Sequence, residues 1–144
     1  FDPQHPNALE PRKRPYHTII PAMVTREDGS LFASYGVMGG FMQPQGHVQV
    51  LSALVDAGLD PQSALDLPRF CIDVEASGGR VALEEEMPSD VVSGLEKMGH
   101  PVYSVGGFER SLFGRGQVIL RDAKTGVLVA GSDPRADGCA MPLL

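Results

Sequence analysis

The residues best suited to chemistry are the adjacent glycines in Gly36-Val37-Met38-Gly39-Gly40-Phe41. A glycine pair between two elements lets the backbone bend sharply and aim consecutive N–H groups at one point. Amide cleavage needs such donors, because negative charge develops on the carbonyl oxygen of the tetrahedral intermediate. The same pair also serves a tight strand-to-helix connection that holds no ligand. Other chemistries lack their spacing. There is no Gly-x-Ser-x-Gly nucleophile motif. His5, His17, His47 and His100 are scattered, and no Cys-x-x-Cys or His-x-x-x-His pair offers metal-ligand spacing. The glycines around Gly106 and Gly114 match neither a phosphate loop nor a dinucleotide fingerprint. No metal or cofactor is therefore expected. Glu84-Glu85-Glu86 is expected to face water, since three adjacent like charges in one pocket would be mutually destabilising.

The elements that position the glycine pair read as mixed α/β of the α+β type, with mostly antiparallel strands. Prolines at 3, 6, 11 and 15 make an extended lead-in. Residues 16–24 carry Thr18, Ile19, Ile20, Met23 and Val24 and read as a strand, with Pro21 marking an edge or bulge. Glu27-Asp28-Gly29-Ser30 turns the chain into a second strand over residues 31–36. Val48, Leu51, Leu54 and Val55 recur at helical spacing, ended by Gly58. Asp60-Pro61 caps a short helix that Pro68 stops. Ser89 caps a third helix with Val92, Leu95 and Met98 on one face and Gly99 at its end. Residues 81–86, 101–105, 116–121 and 127–131 read as strands, the last two joined by a turn over 122–126. With only three helices to cover the sheets, some coverage is expected from chain outside these residues.

With 144 residues, 42% of them hydrophobic, the chain makes one domain. A net charge of −6 argues against a nucleic-acid partner, and no apolar run reaches the ~20 residues of a membrane span. Arg12-Lys13-Arg14, between Pro11 and Pro15, is a solvated loop or an anion contact. Cys71 and Cys139 make no disulfide framework, and Cys71 reads as a small buried hydrophobe. The opening Phe1-Asp2-Pro3 is expected to mark a processed or truncated piece, which leaves the compartment open.

Lys13-Arg14-Pro15, Pro21, Gly39-Gly40, Asp66 with Pro68-Arg69, and Gly131-Ser132-Asp133-Pro134-Arg135 with Asp137-Gly138 follow one another along nearly the whole chain. That order resembles the γ-glutamyltransferases (γ-glutamyltranspeptidases), and the run from Met38 to His47 resembles one bacterial branch of them. The resemblance implies part of a four-layer αββα N-terminal-nucleophile hydrolase sandwich. It implies a self-cleaving precursor whose small subunit opens on a threonine. That hydroxyl attacks a γ-glutamyl amide of the glutathione type, and water or an amine takes the acyl group. Residues 1–144 would be the C-terminal part of that small subunit, without the nucleophile and inactive alone. The partners implied are the rest of the precursor, namely the large subunit and the N-terminal part of the small one, and a small-molecule amide. Gly39 and Gly40 match the family's oxyanion-hole glycines. Where the family usually has Leu-Ser-Ser-Met this chain has Tyr16-His17-Thr18-Ile19, so Thr18 keeps a substrate-holding hydroxyl and His17 does not. His17 is a strand histidine, a carboxylate donor, or the mark of another acyl group, such as the glutaryl group of cephalosporin acylases. Arg69, Arg135 and Asp137 are expected to do structural ion-pair work. A non-catalytic remnant that self-associates into a homo-oligomer is the alternative of a different class, and a bacterial cytoplasm or periplasm is the expected setting.

Overall fold

A computed structural model describes residues 2–73 and 79–142. Strand β1 (Ala22–Thr25) and strand β2 (Leu31–Met38) form the expected hairpin, registered from Ala22 opposite Tyr35 to Thr25 opposite Leu31. Gly29 takes a φ of 80° in its turn, where the Asp28 carboxylate accepts from the Ser30 amide at 2.9 Å. Helix α1 (Met42–Val55) and helix α2 (Pro61–Asp66) follow. Asp60 caps α2 as expected, its carboxylate accepting from the amides of Gln62 and Ser63. Next come β3 (Phe70–Asp73), β4 (Arg80–Glu84), α3 (Ser89–Lys97) and β5 (Val102–Val105). A 3₁₀ turn (Gly107–Phe113), β6 (Arg115–Arg121) and β7 (Leu128–Ser132) close the described chain. One sheet runs β1-β2-β6-β7 and the other β3-β4-β5, and β4 with β5 is the one parallel pair among the described strands.

Local patterning misplaced several elements. Residues 16–21 stay outside the sheet, because Pro21 has no amide to give and the Thr18 and Ile20 carbonyls meet side chains of α1. Pro88, not Ser89, stands before α3, and Met98 is exposed. In α1 the buried face is Met42, Gly46, His47, Val50, Ala53 and Leu54, whereas Val48 and Val55 face solvent. Gly46 allows the helix to lie on β2, since a Cβ there would stand 2.6 Å from a Val37 methyl. The main core joins Tyr35, Val37 and Val118 to Val50, Leu54 and Leu65, and a second one gathers Met42, Cys71, Ala82, Val105 and Phe113. Burial, then the Asp73 carboxylate, pushes the Cys71 thiol up, which suits an inert core residue. On the other face of the four-stranded sheet, Met23, Met38, Ile119 and Leu128 stay exposed. No helix among the described residues is long and apolar enough to cross a membrane.

Strand β3 was not expected, and side chains explain its placement. Gln49 donates to the Phe70 carbonyl at 3.0 Å and accepts from the Phe70 amide at 2.9 Å. Gln45 does the same for Ile72 at 3.2 and 2.7 Å. Four helical residues rise about 6 Å and two strand residues about 6.6 Å, so the two amide groups match alternate strand positions. They stand in for a further strand along the edge of β3. Gln45→Ala or Gln49→Ala is expected to cost about 1 kcal/mol each. Amide exchange would quicken at Ile72 in the first variant and at Phe70 in the second, and unchanged exchange would refute this edge role.

Glu84 overturns the expectation of a solvated acidic run. Its side chain is fully buried, whereas Glu85 and Glu86 are exposed. It accepts from Arg135, from Arg110 Nε at 2.7 Å and from the Arg69 amide at 2.7 Å. Arg135 also pairs with Asp133 at 3.1 Å and donates to the carbonyls of Leu65 and Leu67, both at 2.8 Å. Arg69 Nη2 holds the other Asp133 oxygen at 2.8 Å. This network ties β4 to the end of α2 and to the loop after β7. Asp137 was the acid expected beside Arg135; it is exposed, and Asp133 takes that place.

Candidate active site

The end of β2 and the start of α1 make one sharp bend. Gly39 has a φ of 150° and Gly40 a φ of 58°, both costly for a residue with a Cβ. The Gly39 and Gly40 carbonyls accept from Met42 N at 3.0 Å and Gln43 N at 3.1 Å, which starts the helix. Among the described residues neither the Gly39 nor the Gly40 amide meets a protein acceptor. Successive unpaired amides at such a bend form a concavity that favours negative charge. Close packing fixes the bend from below: a Cβ on Gly39 would lie 3.0 Å from Gly114 Cα and 3.2 Å from Met42 Cβ.

A cavity of about 310 Å³ opens at this bend, lined by Tyr16, His17, Thr18, Ile20, Gly40, Phe41, Gln43 and Pro44. Three of the four residues singled out in the sequence, His17, Thr18 and Gly40, thus share one space, and the fourth, Gly39, directly precedes Gly40. His17 and Thr18 are exposed and lie outside any strand, so His17 is not a packed strand histidine. The segment carrying them is held by Gln43 Nε2, which donates to the Thr18 carbonyl at 2.7 Å, and by His47, whose Nε2 lies 2.8 Å from the Ile20 carbonyl. Sequence reading missed Gln43 and His47. Their i, i+4 spacing was the available signal, but nothing local shows which backbone it meets. Arg12, Lys13 and Arg14 are exposed and line none of this cavity. Among the described residues no group of three His, Cys, Asp or Glu is placed to hold a metal ion. The arrangement sets an apolar wall of Tyr16, Ile20, Phe41 and Pro44 beside a bend whose backbone amides are unpaired among the described residues.

Comparison with known proteins decides the family. Residues 1–143 match the model for gamma-glutamyltranspeptidase. The chain belongs to the γ-glutamyltranspeptidase family. Within that family it is similar to a glutathione hydrolase-like proenzyme of Bacillus subtilis, 38% identical over 98% of this chain and 27% of the relative. The cephalosporin acylase of Bacillus halodurans superposes with a TM-score of 0.77 at 48% identity, covering 96% of this chain and 25% of that one. A γ-glutamyltranspeptidase mutant of Helicobacter pylori does so with a TM-score of 0.72 at 27% identity, covering 90% and 67%. The chain therefore spans about a quarter of the length of the proenzyme it matches. Its α+β architecture of mostly antiparallel strands is that of this family's N-terminal-nucleophile hydrolases.

Proposed function

We propose that this chain is the oxyanion-hole and acyl-binding part of an amide-cleaving enzyme assembled with the rest of its precursor. The observation carrying this reading is the shared cavity of His17, Thr18 and Gly40 at the start of α1. In this reading a threonine from the rest of the precursor attacks the amide carbonyl, and its own α-amino group takes the hydroxyl proton. The new oxyanion accepts from the Gly39 and Gly40 amides. Collapse breaks the C–N bond, the proton passes to the leaving amine, and water or an acceptor amine then releases the acyl group. Residues 1–144 form one domain of that enzyme and do not turn over alone. The exposed face bearing Met23, Met38, Ile119 and Leu128 is covered, in this reading, by a second sheet from the rest of the precursor.

The acyl group is γ-glutamyl in the reading closest to the family name. A second reading, a glutaryl-type acyl group, is supported by His17 at the usual serine position, by the largely apolar wall of Tyr16, Ile20, Phe41 and Pro44, and by likeness to a cephalosporin acylase. The full-length, self-processed protein is tested on γ-glutamyl and glutaryl anilides. His17→Ser is expected to raise the γ-glutamyl to glutaryl ratio of kcat/KM about tenfold, the worth of one hydrogen bond to a charged group. An unchanged ratio would remove His17 from acyl selection. No cleavage of either anilide, with self-association of the protein, would favour the non-catalytic alternative.

A further inference from the structure

Gln43 and His47 lie one turn apart on α1 and reach alternate residues of one run. Gln43 Nε2 donates to the Thr18 carbonyl at 2.7 Å, and His47 Nε2 stands 2.8 Å from the Ile20 carbonyl. Both His47 ring nitrogens face carbonyl oxygens, which only accept, so the Ile20 contact is a hydrogen bond when Nε2 carries the proton, and both contacts are hydrogen bonds only in the doubly protonated ring. The two helix positions stand about 6 Å apart, within the ~6.6 Å that two residues of chain can span when extended. His47 is itself fixed: it is 9% exposed, and its ring packs 5.2 Å from that of Tyr35. The run it holds needs such anchors. Sheet pairing begins only at Ala22. Two cavities border the run, the acyl cavity and another of about 260 Å³ bordered by Ile20, Val37, Met38 and His47. Without the anchors, His17 and Thr18 have room to leave their place beside Gly40.

We propose that Gln43 and His47 are positioning residues that clamp the backbone of residues 18–20 over the start of α1 and thereby set affinity for the acyl group. The proposal rests on the acyl-binding reading of His17 and Thr18. It separates two roles along one bend, with Gly39 and Gly40 acting on the rate and the clamp acting on binding.

The test uses the full-length, self-processed protein and whichever anilide it cleaves. His47→Phe keeps a ring but no donor, Gln43→Met keeps length but no amide, and His47→Gln keeps a donor near the Nε2 position. KM is expected to rise about tenfold in His47→Phe and in Gln43→Met, with kcat changed less than about twofold, and to stay within about twofold of wild type in His47→Gln. A purely structural role would lower the amount of folded enzyme and leave the KM of the remainder unchanged. Unchanged KM in both donor-free variants, or a His47→Gln variant as impaired as His47→Phe, overturns the proposal. Methyl relaxation of Ile20 without substrate reads the clamp apart from turnover. Larger Ile20 motion is expected in His47→Phe and in Gln43→Met, and equal motion in all forms overturns the clamp. A wild-type protein that cleaves no amide sinks the acyl-binding reading alone, and Ile20 then still decides whether the clamp exists.

Discussion

Replacing Glu84 by Gln is expected to destabilise the protein by about 3–5 kcal/mol, the usual cost of removing one partner from a buried charge cluster. Gln keeps the shape but, among the described residues, leaves the buried guanidinium of Arg135 with the Asp133 carboxylate alone and the partly buried one of Arg110 with that of the exposed Glu86 alone. The loss has a pH signature. Burial pushes the Glu84 carboxyl up, but hydrogen bonds from Arg135, Arg110 and the Arg69 amide outweigh it and hold the group below its ordinary value. A carboxyl depressed in the folded state stabilises it fully above the unfolded value of about 4.3. That stabilisation is lost as the pH falls below this value and through the folded one. The gap in denaturation midpoint between wild type and Glu84→Gln should therefore be widest near neutrality and shrink as the pH drops below about 4.3. A gap that stays constant into acid would mean that Glu84 is not the ionised centre of the cluster.

Gly39→Ala is expected to lower kcat of the full-length enzyme at least a hundredfold, the loss typical of one oxyanion-hole donor. The substitution does not delete the amide; it misdirects it. An L-residue rarely adopts a φ of 150°, and the new Cβ would press on Gly114 Cα and Met42 Cβ. The peptide plane must rotate, so under the proposed function the donor would no longer meet the oxyanion. Gly29→Ala is the control for strain alone. Its φ is 80°, but nothing lies within 4 Å of the added Cβ, so it should cost about 1 kcal/mol of stability and leave kcat unchanged. Equal losses of activity in both variants would reduce the Gly39 effect to general strain.

Local sequence signals were reliable where the physics is local. The hairpin at residues 27–30 and the Asp60-Pro61 helix start both follow from contacts within a few residues. The glycine pair was also visible, since a positive φ leaves a composition trace that distant packing does not. What escaped depends on partners far along the chain. The β-branched residues between 16 and 21 do not mark a strand: the hydrogen-bond partners of that run are Gln43 and His47. Strand β3 owes its edge to Gln45 and Gln49. Glu84 looked like part of a solvated run because its two guanidinium partners lie 26 and 51 residues away. Val48 and Val55 drew the apolar stripe of α1 to the wrong side, because its contacting faces carry glutamines, a histidine and a glycine, which hydropathy does not count.

The most direct measurement is a structure of the full-length, self-processed protein holding a slowly released acyl group. The carbonyl oxygen of that group is expected about 2.7–3.1 Å from the Gly39 and Gly40 amide nitrogens, with the acyl chain against His17 and Thr18. An acyl oxygen held by other donors, with the Gly39-Gly40 bend facing solvent or bonded to protein carbonyls, would contradict the role assigned to this chain.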